Sequence, residues 1–177
     1  MSKITKKEAE LIQTIAMALA HGAEERLDQY DIAEELVDKF GIDTDSGAYR
    51  TAFILDNVVV KVSQDSRRQK MLVKETDFIN KMRKDEKYGR HFPQTEVFTV
   101  GKVTLQIQEK VDMRHRRVGW ELMDAVEELA NSLGIEDMHS GNYGWKDGPN
   151  GKYPVFVDVD LRDLRRAGRR KKRSWMV

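Results

Sequence analysis

One stretch of the sequence, residues 134–161, constrains the fold of this chain more than any other. Asp137 and Asn142 stand five residues apart around small side chains, and a glycine-rich turn at 146–152 then joins two apolar runs. The resulting hairpin starts at Asn142 and ends at Asp158, so we expect both side chains to converge on one point. Phosphoryl transfer needs such groups: a carboxylate as base for a hydroxyl, and two oxygen ligands for Mg²⁺.

A second carboxylate, Asp160, lies two residues beyond Asp158. Side chains alternate along a strand, so Asp158 and Asp160 are predicted to share one face. Two carboxylates beside Asn142 repel each other unless a cation lies between them. We therefore expect both to face a magnesium ion, with Asp158 the nearer.

Length and composition indicate a protein with one ordinary core. The chain has 177 residues and no Cys, which excludes a disulfide framework and a thiolate metal site. No window holds the 18 or more apolar residues that a membrane span needs, and the N-terminus is polar and charged as far as Glu10. The expectation is a soluble protein of the cytoplasm, with no membrane partner.

The charge is divided unevenly along the chain. There are 31 basic and 30 acidic residues, but the tail 162–177 has a net charge of +7 and the body a net charge of −6. This separation indicates an anionic partner for the basic C-terminal tail: RNA, DNA, another acidic partner, or the acidic body itself.

Residues 1–41 are predicted to form an N-terminal helical hairpin. Thr5 and Glu8 make a capping box, and apolar residues then repeat at helical spacing until Gly22. A second amphipathic run is closed by Gly41. We expect the hairpin to bury its apolar stripe on the domain that follows and to act as a structural brace without chemistry.

From residue 42 onward the pattern changes to strands. Residues 51–62 read as two strands joined by a tight turn at Asp56 and Asn57. Lys61 stands among β-branched residues, so its side chain either faces solvent or is buried and paired, and its apolar neighbours favour the second. The turn at 45–50 suits either an ordinary connection or backbone contact with phosphate.

The predicted partner of Lys61 is Glu75, on a helix over residues 67–83. It is the acidic residue there with helical flanks and a long side chain; the alternative is a solvated charge on a very polar helix. Two alternating runs, 94–100 and 102–111, are predicted to pair around Gly101. Residues 120–133 are predicted to form an amphipathic helix that ends at Gly134.

Six features in this order, from Gly47 to Asp160, resemble the protein kinase superfamily. They are a small-residue turn at 45–50, the lysine of the strand VVVKV at 58–62, the helix glutamate Glu75, the segment Gln108-Glu109-Lys110-Val111, the loop Asp-Met-His-Ser-Gly-Asn at 137–142, and an apolar strand that ends at Asp158. The loop is also similar to those of aminoglycoside-phosphotransferase-type kinases, and the whole set is most similar to the early protein kinases of lytic tailed phages. The resemblance implies ATP, Mg²⁺ and transfer to Ser or Thr of host proteins or of the kinase itself, in the host cytoplasm.

The resemblance also implies a role for each matching residue. Lys61 and Glu75 position the α- and β-phosphates, and Asp137 completes the catalytic set. The Glu109 carbonyl and the Val111 N–H contact adenine. The remaining positions are Gly47, Ala48 and Arg50 for the nucleotide phosphates, and Asn142, Asp158 and Asp160 for the metal.

The expected fold is therefore α+β, a minimal protein-kinase-like domain over residues 42–161 with an antiparallel-sheet N-lobe and one helix. Because 17 residues follow Asp160, the expected C-lobe is reduced. The pattern departs from the family where Asp45 replaces a glycine and where Asp158-Val159-Asp160 replaces Asp-Phe-Gly. Two other functions fit the same motifs: a small-molecule kinase, and a catalytically weak kinase-like binder of a host protein or nucleic acid.

Overall fold

The computed structural model describes residues 4–46, 50–63, 66–114, 120–135 and 139–159. The chain divides into two compact units, Met1–Lys81 with Gln94–Lys110, and Met82–Pro93 with Val111–Val177. The described helices are α1 (Lys6–Glu25), α2 (Gln29–Phe40), α3 (Ser66–Met82) and α4 (Trp120–Leu133). The described strands are β1 (Asp43–Ser46), β2 (Arg50–Ile54), β3 (Val58–Ser63), β4 (Thr95–Val100), β5 (Val103–Glu109), β6 (Tyr143–Gly148) and β7 (Gly151–Phe156).

A five-stranded antiparallel sheet forms the centre of the first unit. Its strand order is β1-β2-β3-β5-β4, with α3 inserted in the sequence between β3 and β4. The β2–β3 hairpin turns at residues 55–57, where the Leu55 N–H donates to the Val58 carbonyl over 2.9 Å. The β4–β5 turn uses Gly101 at φ 57°, a conformation that glycine adopts without strain. The α+β class and both hairpins predicted from the sequence are confirmed.

The helical hairpin of α1 and α2 covers one face of this sheet. The predicted capping box of Thr5 and Glu8 is present, and α2 ends as predicted at Gly41, which has φ 62°. The predicted end of α1 at Gly22 is wrong, because the helix continues to Glu25. Gly22 instead lies against the side chain of Ile32 on α2, where a Cβ atom would collide. This glycine allows the two helices to approach closely.

Alternation along the strands sets the core under the hairpin. On β3, Val58, Val60 and Val62 are buried on the face toward the helices, in one cluster with α1 and α2 residues. Each buried valine contributes about 1.5–3 kcal/mol relative to an exposed one. The buried apolar side chains of α1 and α2 thus belong to the same core as the sheet.

The second unit contains α4 and a β6–β7 hairpin. α4 has the bounds predicted from the sequence, Trp120–Leu133, and Gly134 follows it at φ 72°. The predicted turn at 146–152 is too long, because both strands pair as far as Gly148 and Gly151 and leave a two-residue connection. The strand residues near the tip of the hairpin are mostly polar or glycine, so an apolar pattern does not identify them as strand. In this unit His91 Nδ1 also donates to the Pro154 carbonyl over 2.8 Å.

No helix among the described residues is both long enough and apolar enough to cross a bilayer. The tail 162–177 lies outside the described residues.

A buried carboxylate on α1 holds the turn between β2 and β3. Glu8 is 1% exposed; its Oε1 accepts from the Asn57 N–H over 2.7 Å and its Oε2 from Asn57 Nδ2 over 3.0 Å. The backbone N–H and the hydroxyl of Thr5 each donate to Oε2 over 2.9 Å. Burial raises the pKa of Glu8, but the hydrogen bonds from Asn57 and Thr5 outweigh burial and lower the pKa from 4.5 to about 2.

This pKa predicts how the stability of the protein depends on acid. The folded-state pKa lies below the unfolded value, so the ionised carboxylate contributes fully above about pH 4.5, and that contribution is lost as the pH falls to about 2. We expect Glu8→Gln to lower the free energy of unfolding near neutral pH by about 1.5–3 kcal/mol, since charge-assisted hydrogen bonds are lost. The variant should also lose stability less steeply than the wild type across this acid range, as measured by urea unfolding.

The matched control is Glu10→Gln on the same helix. Glu10 is exposed and its carboxylate lies 3.9 Å from the Lys6 ammonium, so this change should alter stability by less than about 0.5 kcal/mol. Equal effects of the two substitutions would contradict the assignment of Glu8 as the holding group.

Candidate functional site

The Lys61 side chain lies on the face of the sheet opposite the one that α1 and α2 cover. Its neighbours Val60 and Val62 are fully buried toward α1 and α2, so alternation along β3 sends the Lys61 side chain to the opposite face. Lys61 is only 8% exposed there. A buried ammonium is costly unless polar groups surround it, so this face must supply them.

The strand register shows which groups share that face. Lys61 lies opposite Ala52 on β2 and Gln106 on β5. Gln106 is fully buried, and its Nε2 donates to the hydroxyl of Thr76 on α3 over 3.0 Å. Glu75 on the same helix lies 2.8 Å from Arg50, which shares this face of the sheet with Lys61, so Lys61 and Glu75 belong to one polar layer between the sheet and α3.

Glu75 forms an ion pair with Arg50. Glu75 is 1% exposed, and its Oε2 lies 2.8 Å from Arg50 Nη2 on β2. A carboxylate at this depth requires a compensating charge, and Arg50 provides one. The kinase resemblance implies instead that Arg50 contacts the nucleotide phosphates and that Lys61 is the partner of Glu75. The Lys61–Glu75 pair and the phosphate role of Arg50 stay predictions.

The segment predicted to contact adenine begins at the end of β5. Glu109 pairs with Val58 on β3, its N–H donates to the Gln94 carbonyl over 2.8 Å, and its Oε2 accepts from the Gln94 N–H over 3.3 Å. The next residue, Lys110, donates its N–H to the Asn57 carbonyl over 2.9 Å. These bonds fix the backbone at this strand end, and the adenine contacts of Glu109 and Val111 stay predictions.

In the second unit, the residues that follow Lys110 lie along β6. Asp112 and Trp145 exchange two backbone hydrogen bonds, of 3.1 and 2.8 Å, and Val111 packs with Val155 and Val157. Gly144 makes this approach possible, because a Cβ atom there would collide with Val111 and with the Asp112 carbonyl. The Arg114 guanidinium donates to the Asp112 carboxylate and lowers its pKa.

The backbones of Asn142 and Asp158 meet at the base of the β6–β7 hairpin, whereas the predicted convergence of their side chains stays a prediction. The Asn142 carbonyl accepts from the N–H of Val157 over 2.9 Å and from the N–H of Asp158 over 3.3 Å. Asn142 is 6% exposed and Asp158 is half-buried. The Asn142 N–H donates to the His139 carbonyl over 2.9 Å, which closes the loop before the hairpin.

An amide oxygen and a carboxylate at this position fit Mg²⁺, which binds oxygen ligands and usually only one or two carboxylates. Among the described residues, no three His, Asp or Glu side chains come together as a metal-binding group. Four predicted site residues fall outside the described ranges: Gly47, Ala48, Asp137 and Asp160.

Sequence reasoning missed two contacts, Glu8 with Asn57 and Arg50 with Glu75. A signal for the second was present: a hairpin turning at 55–57 places Arg50, Ala52 and Lys61 on one face of β2 and β3, directed toward the helix that carries Glu75. No local pattern indicates the first contact, because its residues are 49 positions apart.

The Arg50–Glu75 ion pair predicts a measurable coupling energy. Arg50→Met should lower the free energy of unfolding by about 2–4 kcal/mol, because it removes a charge partner from a buried carboxylate. Glu75→Gln should cost less, since the Arg50 guanidinium is partly exposed to solvent. A double-mutant cycle by chemical denaturation should give a coupling of about 1–3 kcal/mol.

Asp77→Asn is the control for this cycle, since Asp77 is exposed on the same helix. Its coupling to Arg50→Met should be below about 0.5 kcal/mol. A coupling that small between Arg50 and Glu75 would show that the two charges do not interact.

Comparison of the chain with protein-family models, with curated proteins and with solved structures found no match. A function can therefore be proposed only from the chemistry of the sequence and of the described residues.

Proposed function

We propose that this protein is a phosphotransferase dependent on ATP and Mg²⁺, with a minimal protein-kinase-like fold. It acts on Ser or Thr of itself or of host proteins, like the small phage kinases that its motifs resemble. The observation that carries this proposal is the pair of buried charged side chains, Lys61 and Glu75, in one layer between the sheet and α3.

The order of elements in the first unit supports this assignment. In protein kinases the phosphate-binding lysine is on the third strand and its glutamate partner is on the following helix. Here Lys61 is on β3 and Glu75 is on α3, and two further strands complete the antiparallel sheet. Charges buried on both elements cost free energy unless they have partners, and Arg50 is such a partner for Glu75.

In this proposal Lys61 binds the α- and β-phosphates of ATP, and Glu75 with Arg50 keeps the polar layer charged and ordered.

The Glu109 carbonyl and the Val111 N–H bind the adenine edge. Gly47 and Ala48 supply backbone N–H groups to phosphate in this proposal, and Arg50, at the start of β2, is the third residue assigned to the phosphates.

The second unit supplies the metal ligands in this proposal. The Asn142 amide oxygen and the Asp158 carboxylate hold Mg²⁺, with Asp160 as a further oxygen ligand, and the metal neutralises phosphate charge when bound. The backbone hydrogen bonds from Val157 and Asp158 to Asn142 fix the spacing of the two ligands. Asp137 accepts the proton of the acceptor hydroxyl as the γ-phosphoryl group leaves ADP and bonds to that oxygen.

The basic tail 162–177 has its own proposed task. Its net charge of +7 is the strongest concentration of like charge in the chain. We assign it the capture of an anionic partner, with single-stranded RNA as the first probe.

Transfer of labelled phosphate from ATP tests the kinase assignment. The wild type should label itself or added host proteins, and Lys61→Met and Asp158→Asn should each reduce transfer at least about 100-fold, because each removes charge stabilisation at the phosphates. Asp160→Asn should keep measurable activity. Circular dichroism should show that all variants stay folded.

Two exposed residues provide controls, Lys102→Met in the β4–β5 turn and Asp147→Asn in the β6–β7 hairpin. Both should transfer at the wild-type rate. Wild-type activity in Lys61→Met would remove Lys61 from the nucleotide site, and an active Asp158→Asn beside an inactive Asp160→Asn would shift the metal ligand by two residues.

The tail assignment predicts a salt-dependent affinity. Binding of an RNA oligonucleotide should weaken steeply with salt, with a logarithmic slope of about −0.7 for each phosphate neutralised, and removal of residues 162–177 should flatten that slope. Fluorescence anisotropy at several salt concentrations measures both. Binding that does not change with salt would contradict a phosphate-binding tail.

A further inference from the structure

The turn between β2 and β3 is bonded on both sides by residues from distant parts of the sequence. On one side, Glu8 accepts from the backbone and from the side chain of Asn57, over 2.7 and 3.0 Å. On the other side, the Lys110 N–H donates to the Asn57 carbonyl over 2.9 Å, and Lys110 Nζ donates to the Leu55 carbonyl over 2.8 Å. The turn therefore connects the first turn of α1 to the residue after β5.

The contact between Glu8 and Asn57 is stronger than an ordinary surface bond. The Glu8 carboxylate is almost fully buried and accepts from Asn57 with both oxygens. Hydrogen bonds to an ionised acceptor are about twice as strong as those between neutral groups. Since the same carboxylate also accepts from Thr5 in the capping box, its position is fixed by the helix end.

The bond from Lys110 to Asn57 also determines the direction of the Glu109 carbonyl. The Glu109 C=O and the Lys110 N–H belong to one peptide group, which is planar and trans, so they point in opposite directions. When the Lys110 N–H donates to Asn57, the Glu109 carbonyl must point away from the β2–β3 turn. The bond from Lys110 to Asn57 therefore helps to fix the direction of that carbonyl.

We propose that Glu8 is a positioning residue for adenine recognition: by holding Asn57, it fixes the peptide group between Glu109 and Lys110 and so aims the Glu109 carbonyl. This role rests on the proposed nucleotide site, and Glu8 itself does not touch the nucleotide. The N-terminal helix is then part of the recognition apparatus and not only a brace.

Amide hydrogen exchange tests the structural half of this proposal in the absence of nucleotide. In Glu8→Gln, the amides of Asn57 and Lys110 should exchange about tenfold faster or more, because the turn opens more often. The Trp145 amide in the second unit should exchange as in the wild type, and Glu10→Gln should leave all three amides unchanged. Unchanged exchange at Lys110 in Glu8→Gln would overturn the proposal.

Steady-state kinetics with ATP test the functional half, at a temperature where each variant is folded. Glu8→Gln should raise the KM for ATP about threefold or more while kcat changes less than about twofold, since ground-state binding is affected and chemistry is not. Glu10→Gln should match the wild type. Faster exchange at Lys110 with an unchanged KM would overturn the role in recognition.

A second variant covers the case in which Glu8→Gln unfolds. Lys110 is exposed, and Lys110→Met keeps its aliphatic stem while removing the bond to the Leu55 carbonyl. It should change exchange at Lys110 and the KM in the same directions, and no change in either would overturn the proposal. If the wild type neither binds nor uses ATP, the proposed function fails together with this role, whereas the exchange pattern still reports whether Glu8 holds the turn.

Discussion

The register of β3 is the constraint on which the first unit depends. Both faces of this central strand are buried, one in an apolar core under α1 and α2 and the other in a polar layer under α3. A slip of one residue would move Lys61 into the apolar core and Val60 into the polar layer. The β2–β3 turn sets that register, which explains why a buried carboxylate from α1 is used to hold it.

The polar layer between the sheet and α3 costs free energy, because its charged and polar side chains are removed from water. It contains Glu75, Arg50, Lys61 and Gln106, and buried ion pairs of this kind are often no more stabilising than apolar residues of equal volume. In the proposed function this charge has a chemical use, because Lys61 is assigned to the phosphates of ATP.

Local patterns predicted the parts of this fold that depend on local physics. The bounds of α4 and the closure of α2 at Gly41 follow from apolar spacing and from glycine's access to positive φ. The predicted end of α1 was wrong because Gly22 packs against Ile32 on α2. In the sequence, a glycine used for helix packing looks the same as a glycine that ends a helix. Only the tertiary fold brings Glu8 and Asn57 together, so the spacing of apolar residues along the sequence cannot predict their contact.

The two-residue connection at the tip of the β6–β7 hairpin offers a practical consequence. Pro149 and Asn150 are exposed, and six strand residues separate each from the Asn142–Asp158 end. At about 3.4 Å per residue, the tip lies roughly 20 Å from that end. Because the chain has no cysteine, a single one introduced at Asn150 would accept a fluorophore at one known point, close enough to report on the hairpin and too far away to obstruct it.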